Sequence, residues 1–166
     1  MGRADWEGQF AEYFAVRAHA LRRLGYGLSG DWHTAEDLVQ ATFVKLYRSW
    51  LGVRADSIDA YARRILINLY LSQRRSRRRE LIVPEPPDRP APAGTGVPER
   101  LALHAALAAL APRQRAAVVL RYLEDLPVVE VAALLQISEG TVKSQTARGI
   151  QALRAALADP TSVGSE

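Results

Sequence analysis

The stretch LPVVEVAALLQISEGTVKSQTARGIQALR, residues 126–154, decides the fold class. Its apolar residues recur at helical spacing on both sides of a short turn, Gln136–Ile137–Ser138, so it reads as two helices. The first is expected to bury Val129, Val131, Ala132 and Leu135 and carries Glu130 near its start. Pro127 stands at its beginning, where proline is compatible with helix initiation but caps nothing. Ser138 opens the second helix, its hydroxyl placed to accept from the backbone N–H of Thr141. Glu139 suits the positive end of that helix's dipole. Val142, Thr146, Ile150 and Leu153 form the inward stripe, which leaves Glu139, Lys143, Ser144, Ala147, Arg148 and Gln151 outward. Gly140 keeps the first turn slim. Such a helix can enter the major groove of DNA, where Lys or Arg pairs with guanine O6 and N7. The same pattern also describes an ordinary helical hairpin in a bundle.

Working outward, helical periodicity continues through the chain. Glu7 to Leu24 places Phe10, Tyr13, Phe14, Val16 and Leu21 on an expected buried stripe, and GYGLSGD reads as a break. From Trp32 to Trp50, Leu38, Thr42, Leu46 and Trp50 keep register, widened by Phe43 and Tyr47. After a loop at Gly52–Asp59, Ile58, Tyr61, Ile65 and Leu69 do the same. In the second half an alanine-rich helix, Leu101 to Leu110, stops before Pro112; another runs from Pro112 to about Leu123, and two short ones follow. No alternating run of strand length occurs, so the fold is expected to be all-α. Between the halves lies LIVPEPPDRPAPAGTGVP, residues 81–98, with six of the nine prolines. Proline lacks the donor N–H and fixes φ, so this segment reads as an extended linker rising ~3.1 Å per residue. Two small helical domains, 1–80 and 99–158, and a polar tail, 159–166, are expected.

Charge sharpens the reading. The 166 residues hold 22 Lys+Arg against 18 Asp+Glu, a net +4. Residues 1–62 sum to −1, with seven basic against eight acidic groups, and 81–98 to −1, while 99–166 balance at seven against seven. The excess sits in RRILINLYLSQRRSRRRE, residues 63–80, where seven arginines face Glu80 alone, giving +6. Such a run suits a polyanion, because neutralising phosphates releases counterions. It equally suits a solvated helix end or a cluster held by acidic neighbours. There are no cysteines, which excludes disulfides, thiolate metal sites and cysteine nucleophiles. His19, His33 and His104 lie too far apart for a histidine-rich metal site, and no cofactor motif is present. His33 and Asp37 share a helical spacing that a polar helix start explains. Convergent carboxylates, an activated nucleophile and a Gly-rich phosphate loop are all missing, which argues against an enzyme. No apolar stretch approaches the ~20 residues of a membrane span, and MGRADWEGQF offers no secretion signal. The expectation is a cytoplasmic protein without membrane insertion.

Three stretches together resemble one family: bacterial RNA polymerase sigma factors of the small extracytoplasmic-function (ECF) class. TAEDLVQATFVKLYRSW, residues 34–50, is similar to the helix that docks on the β′ clamp helices of core RNA polymerase. DAYARRILINLYLSQRRSRR, residues 59–78, is similar to the element that melts and reads the −10 promoter region. The stretch from Leu107 to Arg154 is similar to the domain that reads the −35 element, and its wording SEGTVKSQTARG to an actinobacterial subgroup. The resemblance implies polymerase contacts from Asp37, Gln40, Ala41 and Val44, with the β′ clamp helices and the β subunit as partners. It implies that Tyr61, Arg64 and Asn68 surround opened −10 bases, that Val53–Asp59 forms a pocket for a flipped base, and that Arg74, Arg75, Arg77 and Arg78 follow the phosphates. For the −35 element it implies Ser138, Glu139, Thr141, Lys143, Ser144, Ala147 and Arg148. Promoter DNA and an anti-sigma factor are the further partners implied. Departures from the family pattern are Ala41 for an acidic residue, Tyr61 for tryptophan, Gln145 for arginine and Pro127 for a hydroxyl cap. A stand-alone helix-turn-helix regulator with a ligand- or partner-binding first half is the competing reading; the clamp-like helix and the +6 run argue against it.

Overall fold

A computed structural model describes residues 2–53, 57–80 and 98–158, without the side chains of Arg3, Arg78 and Glu80. All regular structure among these residues is helical. The chain divides into two compact units, Met1–Arg75 and Ser76–Glu166. Of the proline-rich segment only Pro98 is described, as the first residue of a helix; 81–97 and the tail from 159 lie outside the described residues.

In the first unit α1 (Arg3–Ser29) and α2 (Trp32–Ser49) form a helical hairpin, followed by a 3-10 turn (Trp50–Gly52) and α3 (Ile58–Glu80), which continues past the unit's end. The break expected at GYGLSGD is confined to its last two residues: α1 runs through Gly25 and Gly27 and stops at Gly30, whose φ of 74° is the left-handed cap that glycine favours. Gly25 serves packing instead. A Cβ there would lie 3.2 Å from both Cα and Cβ of the fully buried Ala35, so the glycine lets the two helices approach closely. Asp31 starts α2, accepting from the backbone N–H groups of His33 (3.3 Å) and Thr34 (3.2 Å) and the Thr34 hydroxyl (2.8 Å). The Thr34 hydroxyl bond, with the two N–H bonds, holds the Asp31 carboxyl below the usual carboxylate range.

Leu21, Leu24 and Leu28 of α1 and Leu38, Phe43 and Leu46 of α2 are buried. Ahead of them, Phe10 sits edge-on to Phe43, Tyr47 and Trp50. Two expectations need correction. Val16 and Phe14, both placed on the buried stripe, are 69% and 40% exposed. In α3 the buried residues are Ala62, Leu66, Ile67, Tyr70 and Leu71, while Ile58, Tyr61, Ile65 and Leu69 are half-buried on its flank. That helix carries two adjacent apolar rows, and spacing alone does not say which faces the core.

The second unit contains α4 (Pro98–Ala108), α5 (Pro112–Val118) with a π turn (Val119–Leu123), α6 (Val128–Leu135) and α7 (Glu139–Ala158). Ala106, Leu107 and Leu110 pack with Val118 and Leu153 in one cluster, flanked by Ile150. Of the two helices expected to be short, α7 runs 20 residues. Val129, expected to be buried, is 60% exposed, and Leu134 is buried in α6 beside Val131 and Leu135. Gln136, at φ 56°, turns the chain between α6 and α7. Gly149 fixes the approach of α7 to α5, since a Cβ would stand 2.5 Å from Val118 Cγ2. Val118 is buried and β-branched, so it has little freedom to yield. Gly149→Ala gains about 1 kcal/mol of helix propensity but overpacks at a cost of about 1–3 kcal/mol. A net loss of stability is expected, read as a lowered thermal midpoint; an unchanged or raised midpoint would contradict the packing argument.

Candidate polymerase and promoter interfaces

One face of α2 buries Leu38, Val39, Thr42, Phe43 and Leu46. The opposite stripe, at i, i+3 and i+7, exposes Asp37, Gln40 and Val44, with Ala41 half-buried at its edge. Thr42 is satisfied internally, donating to the Leu38 carbonyl at 2.7 Å. Asp37 lies 3.8 Å from His33, and both are well exposed. The four residues expected to meet the polymerase therefore form one surface with a carboxylate, an amide and an uncovered aliphatic group.

Between α2 and α3 lies a hollow of about 350 Å³ lined by Lys45, Arg48, Ser49, Tyr61, Arg64, Ile65 and Asn68. Three residues expected at the −10 site, Tyr61, Arg64 and Asn68, thus share one wall. Lys45 and Arg48 on α2 supply the other and were not expected from the sequence. The signal available was their i, i+3 spacing in KLYR, a pair on the helix edge. Among the described residues none of Lys45, Arg48 and Arg64 has an acidic partner. A second hollow of about 590 Å³ shares Arg48, Ser49 and Tyr61 with the first and is otherwise lined by Leu51, Gly52, Val53 and Ser57. The expected pocket at Val53–Asp59 coincides in part with it, although 54–56 lie outside the described residues. Chemically these hollows offer cations to phosphate, a tyrosine ring for stacking and an amide for base edges.

The arginines of α3 do not form one face. Tyr61, Arg64, Asn68, Ser72 and Arg75 follow one another at three- and four-residue steps along the flank away from Leu66 and Tyr70. Arg74 turns the other way, half-buried, its guanidinium 5.7 Å from the centre of the Tyr70 ring. Arg77 is exposed, and the side chain of Arg78 is outside the described set.

In the second unit, the Thr141 N–H donates to Ser138 Oγ at 3.1 Å, the expected cap. The two hydroxyls also bond to each other at 2.8 Å, and Ser144 Oγ donates to the Thr141 carbonyl at 3.2 Å. Three candidate hydroxyls are thus engaged locally, with Thr141 half-buried. Val142, Thr146 and Leu153 face inward as expected, and Ile150 is half-buried. Glu139, Lys143, Ser144, Ala147, Arg148 and Gln151 are all exposed on the outer face. Among the described residues Lys143 and Arg148 make no ion pair, leaving two cations and a slim, alanine-sized gap between them.

Helical hairpins, a cationic groove and a capped helix-turn-helix with an outward polar face define a nucleic-acid-binding class of all-α protein. Two family models match the chain: Sigma-70 region 2 over residues 15–80 and Sigma-70, region 4 over residues 100–153. The ECF RNA polymerase sigma factor SigE of Mycolicibacterium smegmatis is 43% identical over 155 residues, spanning 86% of this chain and 60% of that protein. The RNA polymerase sigma-E factor of Streptomyces avermitilis is 38% identical over 149 residues, 88% of this chain and 83% of its own length. Among solved structures, the sigma factor RpoE from Bartonella quintana, in complex with the anti-sigma factor NepR, matches with a TM-score of 0.77 at 29% identity. That match covers 92% of this chain and 98% of RpoE. The chain belongs to the ECF class of the sigma-70 family of RNA polymerase sigma factors. No helix among the described residues is long and apolar enough to cross a membrane.

Proposed function

We propose that the chain is a dissociable initiation subunit that directs core RNA polymerase to specific promoters, and that it works in the cytoplasm without catalysing a reaction itself. The observation that carries this reading is the groove between α2 and α3, where Tyr61, Arg64 and Asn68 meet Lys45 and Arg48 around one hollow. A melted −10 strand supplies what the groove lacks: phosphates for the three cations, and unstacked bases for the ring and the amide. The Asp37–Gln40–Val44 stripe docks on the β′ clamp helices, and α7 reads the −35 element with Lys143 and Arg148. Residues 1–80 and 99–158 act as the two promoter-reading domains, with 81–98 as the spacer between them. An anti-sigma factor is the further partner, in keeping with the complex seen for RpoE. Run-off transcription with core polymerase on genomic DNA tests the whole reading: defined start sites that depend on the added chain are expected, and their absence would refute it.

Arg148 gives a sharper local test. It is exposed on α7 and eligible for a bidentate contact to guanine. Arg148→Ala is expected to weaken promoter binding by ~1–3 kcal/mol and to relax preference at one −35 position. Equal binding of wild type and variant across promoters varied at −35 would remove Arg148 from that role.

A further inference from the structure

We propose that Tyr13 is a positioning residue for base selection at the −10 element, holding both described walls of the second hollow through Asp59 and through Trp50, against which Phe10 also packs. The inference rests on the −10 reading above and adds to it residues of α1 that line neither hollow. Leu51, Gly52 and Val53 line one wall, on and just after the 3-10 turn that Trp50 begins; Ser57 and Tyr61 line the other, with Asp59 between them in the chain. Tyr13 touches both. Its ring centre lies 5.7 Å from that of Trp50, and its hydroxyl donates to Asp59 Oδ1 at 2.9 Å. Arg17 Nη2 takes the other carboxylate oxygen, Asp59 Oδ2, at 2.7 Å. Phe10 meets the Trp50 ring at 90° with centres 5.3 Å apart. Phe10, Tyr13 and Arg17 stand at i, i+3 and i+7, so a single face of α1 grips both sides of the opening.

The donor in this brace is constant. Burial, then the Asp59 hydrogen bond and charge, push the Tyr13 phenol above its ordinary range, so it stays protonated wherever the protein works. A base pocket needs its walls held to within about 0.5 Å of the productive geometry, which side chains on rigid elements supply. Phe10 and Tyr13 lie ahead of residue 15, where the region 2 match begins.

Two variants separate this role from general stability. Tyr13→Phe keeps the ring against Trp50 and removes only the bond to Asp59; Tyr13→Leu removes both. Holoenzyme assembled from core polymerase and each full chain is offered fork-shaped DNA randomised over the exposed −10 bases, and the bound sequences are counted. Wild type is expected to prefer one base at the flipped position by about tenfold, a range usual for direct base contacts. Tyr13→Phe should cut that preference to about threefold and Tyr13→Leu should abolish it, with −35 preference and core affinity unchanged. Full wild-type preference in Tyr13→Phe and Tyr13→Leu overturns the proposal, as does equal loss of binding for every base. If Tyr13→Leu fails to fold, Tyr13→Phe alone decides. A wild-type holoenzyme with no base preference at any −10 position refutes the −10 reading itself, a result distinct from failure of the brace.

Discussion

Exchanging Asp37 for lysine abolishes binding to core RNA polymerase in a chain that stays folded, with an expected loss of about 3–5 kcal/mol, beyond about 100-fold in affinity. The fold has little at stake at this position. Asp37 projects from the outer stripe of α2, and its contact with His33 joins side chains 60% and 87% exposed, a pair worth at most about 1 kcal/mol. Lysine is also a better helix former than aspartate. The interface is different. Asp37 is the one acid on a stripe that otherwise offers Gln40, Ala41 and Val44, so under the proposed clamp docking reversal sets a cation where the stripe now presents an anion. Like-charge juxtaposition across a docked surface costs several kcal/mol. Asp37→Asn, which removes the charge without reversing it, is expected to fall between. Thermal melts establish that the variants are folded, and titration of labelled chain with core polymerase reads the affinity. Wild-type affinity in Asp37→Lys would take the clamp-docking role away from this stripe.

How far this surface was legible in the sequence follows from one physical difference. Periodicity reports which residues share a helix face; it does not report which helices meet, or how closely. The outer face of α7 lies within one helix with an apolar side and is readable from spacing, while the polymerase stripe of α2 is implied only by the family resemblance. The Ser138 cap was readable for the same reason, because its partner is three residues away. By contrast, Gly25 and Gly27 read as a break, since glycine's usual cost in a helix is visible in the sequence while its benefit against Ala35 is not. Lys45 and Arg48 escaped because their company is on another helix. Val129 was misplaced because α6 has only eight residues, too few to fix a stripe against a neighbouring leucine. Gly149 sits in a sequence that gives no hint of the 2.5 Å clearance it provides.

The same distinction decides what the +6 segment does. As a sequence it is a block of charge; as a helix it has two sides, and they predict different things. Arg64 and Arg75 are eleven residues apart, about three turns, and stand on the flank that carries Tyr61 and Asn68. Arg74 faces the other way over Tyr70. If the melted strand runs along the flank, Arg64 and Arg75 each neutralise a phosphate and Arg74 does not. The double variant Arg64→Ala/Arg75→Ala should therefore weaken holoenzyme binding to promoter by about 2–4 kcal/mol and lower the slope of log affinity against log salt by about 1.5, two counterions fewer. Arg74→Ala should leave the slope unchanged and instead cost the fold about 0.5–1 kcal/mol of cation–π contact. Salt titrations of promoter binding for the three proteins discriminate the cases. A slope lowered equally per charge in all of them would mean that the arginines act as a diffuse field, with no registered strand on the flank. A slope lowered in the double variant alone would fix the path of the DNA along Tyr61, Arg64, Asn68 and Arg75, the row that ends at the hollow between α2 and α3.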